Sequence, residues 1–169
     1  MARPDLSRVP AFFHGYISKV KEDDLMSALA SSTSELFSLL KSIPAEKHDY
    51  RYGDGKWTVK EVVQHMIDGE RVFTYRALRF ARKDATPLPG FDENLFAQTA
   101  KADKRNWNDL IDEFRALRKV SEAMFASFDN EQLEAAGVAS ESSIYVLGIG
   151  YVVAGHVNHH CQIIKERYL

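Results

Sequence analysis

Leucines recur at three- and four-residue steps between about Glu22 and Ile43: Leu25, Leu29, Leu36, Leu39 and Leu40. That spacing predicts an amphipathic helix, and Pro44 stops it. The run HDYRYGDGKW reads as a loop, with Gly53, Asp54 and Gly55 as turn residues. A second helix is expected from Thr58 to about Arg82. TVKE at its start fits a capping box, in which the Thr58 hydroxyl accepts from the Glu61 amide and Glu61 reaches back. Val62, His65, Gly69, Val72 and Arg76 line one stripe of it, flanked by Val63, Met66 and Phe73. DATPLPG breaks the pattern, and FDENLFAQTA is expected to be a short helical or irregular connection. A third helix follows from about Asn106 to Phe128, carrying Leu110, Phe114, Leu117, Val120, Met124 and Phe128.

FDNEQLEAAGVASESS is expected to connect this helix to the last, with room for one helical turn. The last helix spans roughly Ser143 to Glu166, with Leu147, Ile149, Val152, Val153, His156, His160, Ile163 and Ile164 on or near its inner face. Its first part is the least helix-like. IYVLGIGYVV is rich in β-branched residues and reads as a strand in isolation, and Gly148 and Gly150 cost helix propensity. The helical period nevertheless continues into His156 and His160, and the small glycines would allow close approach of a neighbour. Residues 1–20 hold two prolines and are expected to be an irregular lead-in, tacked to the body by Phe12, Phe13 and Tyr16. Four long amphipathic segments without two-residue alternation predict an all-α four-helix bundle in one domain over 1–169, with its core at about 22–167.

Bulk composition narrows the function. The chain has 169 residues, long enough to bury a core without disulfide or metal staples. A net charge of −2 gives no pull toward nucleic acid or anionic membrane. Arg115, Arg118 and Lys119, like Lys101 to Arg105, are interleaved with acids and read as a solvated face. The single cysteine, Cys161, excludes an internal disulfide and points to a reducing compartment. No stretch approaches the roughly 18 apolar residues of a membrane span, and the N-terminus lacks a signal-peptide core. A cytoplasmic protein is expected.

The chemistry concentrates in GHVNHHCQII, which holds three of the six histidines. His156 and His160, four apart, share one helix face and can reach one ion. His65, on the apolar stripe of the second helix, supplies a third nitrogen if those helices face each other. Neutral imidazole suits Zn²⁺, Ni²⁺, Cu²⁺ or Fe²⁺, and three protein ligands leave positions open for water or substrate. The competing reading makes each a core histidine, hydrogen-bonded to a buried neighbour. His159 points away from His160 and is not expected to ligate. Asp68, three residues after His65, is the candidate catalytic group, as a base or as a carboxylate holding an imidazole; a solvated helix residue is the alternative. Cys161 reads as a buried small hydrophobe and Trp57 as a staple before the helix cap.

YGDGKWTVKEVVQHMIDGERVFTYRALRFA together with GHVNHHCQIIKERY resembles the DinB-like superfamily, in particular its YfiT-like branch of metal-dependent hydrolases. The matching pattern is Trp57, Thr58, a histidine at His65, and a late helix with His156 and His160; PGFDENLFA also looks like that branch. The resemblance covers roughly residues 22 to 167. It implies an up-down-down-up bundle with one long crossover, often a homodimer. It implies a divalent ion, zinc or nickel before iron or manganese, held by His65, His156 and His160. Two activities fit it: hydrolysis of a small substrate by metal-activated water, and transfer of a low-molecular-weight thiol bound as thiolate. A non-catalytic metal-binding or interaction bundle stands as the third possibility.

Overall fold

Three of the four long helices begin at a side chain that satisfies a free amide. In the computed structural model, which describes residues 3–169, Asp24 accepts from the Ser27 amide and opens a helix over Leu25–Ser42. Thr58 forms the expected capping box with Glu61 and opens Val59–Ala81. Asn106 accepts from the Asn108 amide and opens Trp107–Ala126. The fourth long helix, Val146–Arg167, follows Tyr145, which makes no side-chain cap. Short elements lie between them. In chain order the helices are α1 (His14–Ile17), α2 (Leu25–Ser42), α3 (Val59–Ala81), α4 (Glu93–Thr99), α5 (Trp107–Ala126), α6 (Asn130–Glu134) and α7 (Val146–Arg167).

The four long helices form a bundle in which α7 packs between α2 and α3, and α5 closes the other side. Leu25 meets α7 at Gly150 and Glu35 pairs with Lys165, so α2 and α7 run the same way. Gln64 bonds Arg105 while Glu70 bonds Ser121, so α3 and α5 also run together, opposite to the first pair. The order is up-down-down-up. Two parallel neighbours in sequence need a connection as long as the bundle, and residues 82–106 make it, with α4 packed on α3.

The expected stripes face inward. Leu29, Leu36, Val63, Met66, Leu110, Phe114 and Val152 have no accessible surface. Each buried aliphatic side chain of this size contributes roughly 2 kcal/mol. Two positions of α5 needed correction. Val120 of α5 stands 67 % exposed, because the inner face passes instead through Arg118 and Ser121. Arg118, expected on a solvated face, is 1 % exposed. Its guanidinium donates to Glu70 at 3.0 Å, to the Leu29 carbonyl at 3.0 Å and to Ser32 at 2.7 Å, and Ser121 donates to the other Glu70 oxygen at 2.6 Å. A polar knot thus ties α2, α3 and α5 together inside the bundle, its buried donors and acceptors paired with one another.

The connection before α7 holds the expected helical turn, α6, and then a two-stranded antiparallel hairpin. Its strands are β1 (Ala136–Ala139) and β2 (Ser142–Tyr145), with Ala139 opposite Ser142 and Ala136 opposite Tyr145. The last helix therefore starts at Val146 rather than Ser143. The lead-in is more ordered than irregular: two 3-10 turns precede α1, which packs on α7. Its first two residues lie outside the described residues. A Cβ at Gly155 would sit 2.2 Å from the Tyr16 carbonyl oxygen, so only glycine lets α1 lie this close to α7. No helix among the described residues is long and apolar enough to cross a membrane.

Candidate metal centre

α3 and α7 run antiparallel, and their facing stripes bring three imidazoles to one point. The Nε2 atoms of His65 and His156 are 3.0 Å apart, and those of His160 and His156 are 3.1 Å apart. One nitrogen from each of the three lies within 4.8 Å of the others. The rings meet edge to face, with centroids 4.6 to 4.9 Å apart. Gly69 makes room for this, since a Cβ there would stand 3.1 Å from Cε1 of His156.

Two of the three rings are almost closed off from solvent. His156 is 3 % and His160 8 % exposed. Burial holds both well below the usual histidine range, and repulsion from neighbouring imidazoles, His160 and His65 on His156 and His65 on His160, lowers them further. Burial also pushes His65 down to about 4, opposed by the charge of Glu93. At neutral pH the three are neutral imidazoles, the form that ligates. Three nitrogens bound at about 2.0–2.1 Å to a tetrahedral ion would stand roughly 3.3 Å apart. Two of the observed separations, 3.0 and 3.1 Å, are close to that. His160 Nδ1 is buried with no hydrogen-bond partner among the described residues, so the ring's polar contact within the cluster is through Nε2. The polar neighbours of His65 and His160 in the cluster are the ring nitrogens of His156. The donor set therefore fits a divalent ion.

Other residues sort around it. Trp57 lies against His65, ring centroids 4.8 Å apart, and so does more than staple the helix. Tyr16 of α1 covers His156 edge-on at 5.3 Å, and Phe73 covers it from α3 at 5.7 Å. His159 packs on Tyr16 at 5.1 Å, outside the three-nitrogen cluster. Cys161 is fully buried, and burial pushes its thiol up to about 12.

The cluster opens into a cavity of about 500 Å³, walled by Phe12, Phe13, Tyr16, Trp57, Phe73 and Phe91. Three polar groups besides the histidines reach it: Arg76, Glu93 and Ser140. Asp68 does not. It accepts from Gln64 at 2.9 Å and lines a separate depression with Gln64, Thr99 and Arg105, where burial raises its pKa. Glu93, the first residue of α4, was missed in the sequence because FDENLFAQTA offered no ligand spacing to mark it.

The model for the DinB superfamily matches residues 28–164. The chain belongs to the DinB superfamily. Among solved structures, this DinB protein is similar to YfiT from Bacillus subtilis, described as "a probable metal-dependent hydrolase with an unusual four-helix bundle topology". The likeness has a TM-score of 0.72 at 18 % identity and covers 84 % of this chain and 82 % of that one. It shows a shared fold. No curated protein matches the DinB chain.

Proposed function

We propose that this protein is a metal-dependent hydrolase of a small substrate, with His65, His156 and His160 as the ligands of one divalent ion. The observation that carries the reading is the convergence of three neutral, buried imidazoles at the floor of an aromatic-walled cavity. An all-nitrogen set without a carboxylate favours zinc or nickel over manganese. Bound there, the ion would supply Lewis acidity and water acidified toward neutral pH. Three protein ligands leave room for water or substrate beside it.

The chain's own residues do the rest. Trp57, Tyr16 and Phe73 exclude bulk water and hold an apolar body against the histidines. Glu93 is the carboxylate on the cavity, and its charge reaches both His65 and Tyr16. It is placed to take a proton from attacking water and return it to the leaving group. Asp68 faces the other depression and is left to a structural role with Gln64.

The experiment is a screen of aryl and alkyl esters and amides with zinc- and nickel-loaded protein. Turnover is expected in the parent, removed by dipicolinate, restored by the metal and reduced at least a hundred-fold in His65→Ala. Turnover that survives both chelation and His65→Ala overturns the reading. Turnover seen only when a low-molecular-weight thiol is added also overturns it, in favour of sulfur transfer.

A further inference from the structure

Arg76 has no part in the chemistry above, yet it sits on the same stripe of α3 as His65, eleven residues on. It is 6 % exposed and lines the cavity. One nitrogen, Nη2, donates to the Pro89 carbonyl and to Ser140 Oγ, both at 2.9 Å. Both partners are neutral, and among the described residues no carboxylate pairs with this guanidinium. A buried charge without a counter-ion is costly unless something supplies one.

The hairpin turn carries the partner at a cost. Ser140 and Glu141 adopt left-handed backbone angles, φ of 50° and 63°, as a two-residue hairpin loop requires. Neither is glycine or asparagine. That strain sets the Ser140 hydroxyl on Arg76, and Leu88 bridges to the same turn. The guanidinium is thus held on one side by a fixed frame, which leaves the rest of its fork for a ligand.

We propose that Arg76, framed by Ser140, binds a carboxylate on the substrate, so that the protein acts on small carboxylic acids with an apolar body. This rests on the cavity being the substrate site, as in the hydrolase reading. One guanidinium facing a cavity that also holds Glu93 suits a monoanion better than a phosphate dianion. Eleven helical residues rise about 16 Å, and an arginine leans back toward the helix start, here toward the histidines. The ligand therefore spans less than that distance, with its reactive group at the histidines, its carboxylate at Arg76 and its body among Phe73, Tyr16 and Phe91.

The test uses metal-free protein at pH 8, where the buried histidines are neutral and no ion competes for the carboxylate. Binding of phenylacetate, phenylpropionate and phenylbutyrate, each beside its primary amide, is measured by calorimetry or ligand-observed NMR. At least one carboxylate is expected to bind about ten-fold or more tightly than its amide, with the difference shrinking as salt rises. Arg76→Gln should erase the difference, while amide that still binds and unchanged helix content show that the cavity is intact. Should Arg76→Gln not fold, Arg76→Lys decides. A preference cut several-fold supports the proposal, because lysine keeps the charge and loses the fork. Equal affinity for acid and amide in the parent, or a preference unchanged in the variants, overturns it. Because no metal is present, either result is independent of whether the three histidines hold an ion.

Discussion

At the scale of single residues, burial decides what chemistry a side chain can offer. Cys161 lies one position from His160, yet its thiol faces the core beside Ile164 and is pushed up to about 12. A thiol in that state carries almost no thiolate at physiological pH and cannot be a nucleophile. Native protein at pH 8 should therefore resist iodoacetamide, with intact mass unchanged over an hour, and take one adduct once unfolded in guanidinium. Rapid alkylation of the native protein would contradict its placement. The histidines were readable before any fold was known, because a four-residue step and an apolar stripe each have one geometric meaning on a helix. Arg76 was visible on the same stripe, but its contact with Ser140 depends on a hairpin some sixty residues further on.

Helices were legible where a cap and periodic apolar residues agreed, as at Thr58 with Glu61. The hairpin was not, because its turn is Ser140-Glu141 and lacks the Asn-Gly or Asp-Gly pair that marks such turns. Arg118 was misplaced for a related reason. Its local neighbours are charged, and its partner Glu70 lies forty-eight residues away on another helix. Glu70→Leu should leave a buried, unpaired guanidinium and cost about 3–5 kcal/mol, read as the shift in urea midpoint at constant slope. Glu70→Leu with Arg118→Met should recover much of that loss. A single variant as stable as the parent would show that the knot contributes nothing to the bundle.

For the whole molecule, the topology is what makes a site. An up-down-down-up order sets α7 between α2 and α3, so the late histidine helix faces the early one across the bundle axis. The long crossover then brings α4 and Glu93 to the rim, and the lead-in folds Phe13 and Tyr16 over the opening. The bundle itself followed from periodicity. Its cavity did not, because much of its wall comes from the lead-in, the crossover and the hairpin, three segments without a repeating pattern.

The central claim is that three imidazoles are gathered to hold one ion. Elemental mass spectrometry on protein purified without a histidine tag, then loaded with zinc or nickel and desalted, tests it most directly. About one ion per chain is predicted in the parent, and less than a tenth of that in His160→Ala at unchanged helix content. A parent that takes up no ion, or a His160→Ala protein that keeps it, would contradict the account and return the three histidines to the core.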